Sequence, residues 1–294
     1  MAPLIQVRNL VKIYRDLHAV DDISFDIPPG ACVGLLGPNG AGKTTTIEII
    51  EGIIGATSGQ VLYKGQPRSD AFREEVGIQF QQTSLLAFLT VRETLETFQA
   101  LYARPGDIDE LIQLCHLGDF AHHMNDKISG GQRQRLLMAL ASINTPELLF
   151  LDEPSTGLDP QARRNLWDIV RKVKERGKTI VLTTHYMEEA EYLCDDIIIM
   201  DHGRVIARGA ADTLIKAHCG GSTMIFPPDG IMPVLDRLGL NYRAGDGRIE
   251  VFIDDVNAAV RQLLAAGADL ANMVIRSPDL EDVFLKLTGR ELRA

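Results

Sequence analysis

The run Gly37-Pro38-Asn39-Gly40-Ala41-Gly42-Lys43-Thr44-Thr45 constrains this chain more than any other feature, because it joins the apolar segment 31–36 to a helical stretch over 44–52. Every position of the pattern G-x-x-x-x-G-K-[ST] is filled. Glycines at 37, 40 and 42 free the backbone to turn, so that successive N–H groups can face one anion. Lys43 supplies a cation that reaches terminal phosphates, Thr44 a hydroxyl for Mg²⁺, and the helix its positive end. A di- or triphosphate fits such a concavity. The alternative is a glycine-rich turn that binds nothing, and the rest of the chain discriminates between the two. Segment 31–36 is apolar on both faces, as a buried parallel strand must be, which places the loop in an α/β sheet.

Segments 4–14 and 19–27 alternate apolar and polar residues, with turns at Arg15-Asp16 and Pro28-Pro29-Gly30, and read as an antiparallel β edge. Tyr14, in the turn before the phosphate loop, either stacks on an adenine face or packs at a strand end. Strands are expected over 59–63 and 76–80, the second ending in Gln81-Gln82. A glutamine there either places its amide near a bound Mg²⁺ and its attacking water or is a solvated loop amide. From 91 to 117 the apolar residues fall at helical spacing, broken at Arg104-Pro105-Gly106, so a helical insert divides the core. Ser129-Gly130-Gly131-Gln132 then opens a helix with Ser129 near its cap. Such an end also accepts an anion, and one held by another subunit suits it better than the one at Lys43 of the same chain.

Segment 147–152 is an apolar strand closing on the adjacent carboxylates Asp152 and Glu153. Neighbouring strand side chains point to opposite faces and can diverge toward different targets. Asp152 would hold Mg²⁺, and Glu153 would orient or deprotonate the water that attacks the terminal phosphorus. A loop over 155–160, an amphipathic helix over 160–175 and a buried strand over 178–184 lead to His185. That histidine either contacts a terminal phosphate or is a satisfied structural residue. His122-His123 lacks the cysteine or carboxylate spacing of a metal site.

A formal net charge of −10 argues against a nucleic-acid binder working through a broad basic surface. Cys32, Cys115, Cys194 and Cys219 show neither paired nor metal-binding spacing and read as reduced thiols of a cytosolic protein. Residues 1–9 carry no secretion signal, and the apolar runs at 148–151 and 197–200 fall far short of the roughly 20 residues a bilayer span needs. A membrane role would therefore run through a partner.

Over residues 4–218 the chain resembles the ATP-binding subunit of an ABC transporter. Tyr14 matches the adenine-stacking aromatic, residues 37–45 the Walker A loop, and Gln81 the Q-loop, with Gln82 directly behind it. Ser129, Gly130, Gly131 and Gln132 match the family signature, with Ile128 in place of the usual leucine. Asp152 matches the Walker B aspartate, Glu153 the catalytic glutamate, residues 155–159 the D-loop ending in Asp159, and His185 the switch histidine. The resemblance implies a P-loop NTPase core with an antiparallel β edge and a helical subdomain at about 85–142. It implies ATP and Mg²⁺ as cofactors, and a head-to-tail pair in which Lys43 and Thr44 of one subunit and Ser129 and Gly131 of the other hold each ATP. With both half-sites intact, a homodimer is expected. The remaining implications are a separate integral membrane permease, contacted by the helical insert, and a place on the cytoplasmic face of the membrane.

Past Gly220-Gly221-Ser222, strands over 223–226, 248–253 and 273–276 and helices over 231–238, 256–266 and 279–288 describe a small C-terminal α+β appendage. The expected domains are thus 1–219 and 220–294. The stretch 277–290 resembles the C-terminal tail of ATPase subunits from bacterial drug, antibiotic and polysaccharide exporters, which implies export of an amphipathic compound. Two other classes share the ATPase core. Importer ATPases for sugars and ions often carry a longer, barrel-like regulatory domain. Soluble relatives acting on ribosomes or DNA carry two ATPase domains or long coiled coils, and neither pattern is present here.

Overall fold

The structure, a computed structural model, describes residues 2–81, 83–228, 230–245 and 247–289; Gln82 and the tail from Arg290 onward lie outside the described residues. Among the described residues two compact units emerge, one running to Ala211 and the other from Asp212 onward.

The first unit begins with β1 (Ile5–Tyr14) and β2 (Leu17–Ile27), then β3 (Cys32–Leu36), α1 (Lys43–Glu51), β4 (Ser58–Tyr63), β5 (Gln66–Pro67), α2 (Asp70–Glu75) and β6 (Val76–Gln79). The insert supplies α3 (Val91–Gln99), α4 (Ile108–Leu114) and α5 (Gly130–Ala141). The chain returns through β7 (Leu148–Asp152), α6 (Pro160–Glu175), β8 (Thr179–Thr184), α7 (Met187–Leu193), β9 (Asp196–Asp201) and β10 (Arg204–Gly209).

Among the described residues, one sheet runs in the order β10-β9-β3-β8-β7-β6, parallel except for the hairpin strand β10. Strands β3, β7 and β8 are buried at every position, so each side chain needs an apolar partner and the alternation splits into two cores. Cys32, Leu149, Leu151, Ile180 and Leu182 face helices α3 to α6. On the other side, Val33, Leu35, Leu148, Phe150 and Val181 meet α1 and the antiparallel strands. Those strands form a second sheet, β2-β1-β4-β5, so the antiparallel edge is a sheet of its own.

Helix starts follow local chemistry. Thr90 and Glu93 form a capping box at α3, and Asp107 caps α4 through the Asp109 and Glu110 N–H groups. All of this positions the C-terminal ends of β3, β7 and β8 side by side, where ligands of open α/β sheets bind.

The second unit comprises α8 (Ala211–His218), β11 (Ser222–Phe226), α9 (Met232–Leu238), β12 (Tyr242–Gly245), β13 (Arg248–Ile253), α10 (Val256–Ala265), β14 (Val274–Arg276) and α11 (Leu280–Thr288). Its described strands form an antiparallel sheet, β12-β13-β11-β14, with Met224, Phe226, Ile249 and Val251 packed against Leu235 and Leu263 of α9 and α10. The division falls ahead of the compositional break at Gly220 because the end of α8 belongs here: Lys286 Nζ on α11 donates to the His218 carbonyl at 2.7 Å.

Candidate active site

The loop from β3 to α1 is held by close backbone approach. Gly37 has no left-handed backbone; it is required because a Cβ there would lie 2.3 Å from the Met200 carbonyl oxygen. Gly42 carries both constraints, with φ of 97° and a Cβ position 2.3 Å from the Ala19 carbonyl oxygen. It is also the N-cap of α1 and offers no side chain to cap the helix, so the first-turn N–H groups stay open. Lys43 is buried, and its Nζ donates to the carbonyls of Gly37 at 2.7 Å and Pro38 at 3.1 Å. Burial lowers its pKa, against the opposing pull of Glu153 and Asp152. An uncapped helix start with a desolvated lysine fits an anionic ligand.

Asp152 lies on the Leu148–Phe150 face of β7, the side on which α1 packs. Its carboxylate accepts from the Thr183 hydroxyl and lies beside that of Thr44. Burial pushes its pKa up, while these hydroxyls pull it down. The Thr44 and Asp152 oxygens suit a hard cation that takes its remaining ligands from phosphate and water.

Glu153 follows Asp152 directly but meets other partners. Its φ is 47°, a left-handed conformation that breaks the alternation and returns its side chain toward Lys43. Such a conformation costs on the order of 1–2 kcal/mol for a residue with a Cβ, and the Thr183 carbonyl and hydroxyl hold it by accepting from the Glu153 N–H. The carboxylate lies 4.0 Å from Lys43 Nζ and 3.4 Å from His185 Nδ1. It accepts from Gln81 Nε2 at 3.2 Å and Thr156 Oγ1 at 3.1 Å. His185 Nδ1 is buried and makes no hydrogen bond despite this proximity, which leaves a ring nitrogen for a ligand to satisfy.

The predicted residues thus gather in two places. Lys43, Thr44, Gln81, Asp152, Glu153 and His185 surround the phosphate loop. Ser129, Gly130, Gly131, Gln132 and Asp159 line a separate cavity of about 340 Å³. There Ser129 and Gln132 form a reciprocal capping box at α5, and Asp159 caps α6 through the Gln161 and Ala162 N–H groups. Tyr14 joins neither group; its ring is exposed at the end of β1, with Lys12 Nζ 4.9 Å from its centre.

The family model described as ABC transporter matches residues 20–156, and a second, described as an AAA domain of a putative AbiEii toxin, matches 129–189. The Nod factor export ATP-binding protein I of Cupriavidus metallidurans is 38% identical over the full length of both chains. That of Paraburkholderia xenovorans is 39% identical over 98% of each. The chain belongs to the ATP-binding subunits of ABC transporters. It is accordingly a nucleotide-binding ATPase. Among solved structures, CbiO1 of Clostridium perfringens, part of an ABC transporter complex, superposes with a TM-score of 0.65 at 27% identity, over 71% of this chain and 89% of that one. The dimeric MJ0796 cassette does so with a TM-score of 0.62 at 28% identity, over 70% and 98%.

Several supporting residues of the subunit escaped the sequence reading. Thr183 braces the Asp152 carboxylate and the Glu153 backbone N–H, and the polar end of the otherwise apolar β8 was its visible trace. Gln79 donates to Gln134 at 2.9 Å, tying the strand before Gln81 to α5. Glu189 is wholly buried on α7, where the local sequence Glu188-Glu189 suggests only a solvated helix start.

Proposed function

We propose that this ATPase subunit pairs head to tail with a second copy around two ATP-Mg²⁺ and drives a separate membrane permease that exports an amphipathic compound. The convergence of Lys43, Gln81, Thr156 and His185 on the Glu153 carboxylate carries the proposal. Lys43 and the open N–H groups of α1 hold the phosphates, and Tyr14 stacks on the base. Mg²⁺, held by Thr44 and Asp152 with Gln81 nearby, would neutralise charge developing on the phosphate oxygens. Glu153 orients the attacking water and takes its proton, and His185 contacts the terminal phosphate. Ser129, Gly131 and Asp159 of each subunit complete the other's site, consistent with their lying in a cavity apart from Lys43.

Among the described residues no helix is long and apolar enough to cross a membrane; in this reading the separate permease spans the bilayer and the subunit works at its cytoplasmic face. The relatives' names support export, and the Nod factor in those names belongs to them. The test is Glu153→Gln purified from detergent-solubilised membranes in ATP-Mg²⁺. The expected outcome is a stable dimer with hydrolysis reduced at least about 100-fold, accompanied in near-equal amount by an integral membrane protein. A monomer at saturating ATP-Mg²⁺ contradicts the pairing. Recovery of ribosomal or DNA-bound proteins alone removes the transport assignment and leaves the ATPase.

A further inference from the structure

Glu189 stands outside the chemistry just described, yet its carboxylate is wholly buried. Its Oε1 accepts from Ser155 Oγ at 2.6 Å and from Trp167 Nε1 at 2.8 Å. Ser155 is two residues past Glu153, and Thr184, whose hydroxyl flanks the same carboxyl, directly precedes His185. Around it α6 and α7 interlock at helical spacing. The Arg163 guanidinium lies over the Tyr186 ring, Trp167 stacks on Tyr192, and Arg171 reaches that same ring. Tyr186 in turn packs against the His185 ring, with centres 4.2 Å apart. A buried carboxyl is costly unless its hydrogen bonds are made; the two at Oε1 fasten the loop after β7 to the helices after β7 and β8, while the buried Oε2 makes none.

Resting on the assignment of Glu153 and His185 above, we infer that Glu189 is a positioning residue: through Ser155 and α7 it fixes the spacing between the water-orienting carboxylate and the phosphate-contacting imidazole. The 3.4 Å separation of Glu153 Oε1 and His185 Nδ1 is the geometry it preserves. Its partners Ser155, Trp167 and Thr184 all lie outside the phosphate loop, so its loss is expected to act on turnover.

The experiment compares steady-state ATP hydrolysis by the full chain and its Glu189→Leu, Glu189→Gln, Ser155→Ala and Glu153→Gln variants. Trp167, the only tryptophan in the sequence, reports whether the surroundings of Glu189 survive. Glu189→Leu removes the acceptor, and its kcat is expected to fall about tenfold or more with KM for ATP within about twofold, as for small misplacements of reacting groups. Glu189→Gln keeps an oxygen that accepts from both donors and should restore kcat to within about twofold of wild type. Ser155→Ala cuts only the loop's link; kcat should fall while Trp167 emission holds. Wild-type kcat in Glu189→Leu, a loss expressed in KM, or a glutamine no better than leucine overturns the inference. Should Glu189→Leu fail to fold, wild-type kcat in Ser155→Ala overturns it equally. Full turnover in Glu153→Gln would instead remove the assignment of Glu153, so the two failures are distinguishable.

Discussion

Lys43 opens α1 and Glu51 closes it, and each sits at the end of the helix dipole that disfavours its charge. Lys43 is compensated by nearby carboxylates. Glu51 is compensated by its proton: burial, then the Asp152 charge, pushes its carboxyl up to about 8, and its Oε1 has no hydrogen-bond partner. Between pH 4.5 and 8 the folded chain therefore holds a proton that the unfolded chain releases, and stability falls as pH rises through that window. Glu51→Gln should leave the melting temperature near wild type at pH 5 and raise it at pH 8; equal shifts at both would contradict the buried acid. Lys43→Ala should weaken ATP affinity at least about tenfold, the scale of one charge-assisted hydrogen bond, and calorimetric titration with ATP-Mg²⁺ checks this. At this scale the sequence was informative wherever chemistry demands a residue type. It could not show that Gly37 is required by the Met200 carbonyl, because that contact joins distant strands.

The elements divide along the same line. Strands β3, β7 and β8 were legible because burial on both faces leaves an unbroken apolar run, and α6 because its apolar face repeats at helical spacing. Helix α7 and strand β10 were not read. The first is short and acidic at its start, and the second alternates on an edge where partial exposure blurs the pattern. Strand β9 showed only as the apolar run 197–200, without its pairing to β3. Strand β6 raises a sharper expectation. At Gly77 an added Cβ would lie 1.7 Å from the Ala141 carbonyl oxygen at the end of α5, so the strand and helix meet without room for a methyl group. Gly77→Ala should cost about 1–3 kcal/mol and lower the thermal midpoint by several degrees; an unchanged midpoint would show that α5 yields freely.

Over the whole molecule, the two units have separate cores, one on Met224, Val251 and Leu263 and the others on the central sheet. Calorimetry should resolve two unfolding transitions. ATP-Mg²⁺ at 100 times its dissociation constant should stabilise one of them, by about 2.7 kcal/mol, and leave the other in place. Equal movement of both would mean that the units unfold as one. The general plan of both units was legible, since each is built from local periodicity. The strand-end positions of Gln81, Glu153 and His185 offered each a role at one phosphate, and the family resemblance selected those roles over structural alternatives, because no local pattern brings residues so far apart in the chain together.

The left-handed backbone at Glu153 sets heat resistance against activity. Glycine or asparagine adopts that conformation at less cost than glutamate, so a library screened for thermal survival alone should enrich both at position 153. Neither carries the carboxylate to which the proposed function gives the steering of water. Such a screen would converge on robust chains that grip nucleotide without cleaving it, and breeding a hardier working version would require a second sieve for turnover.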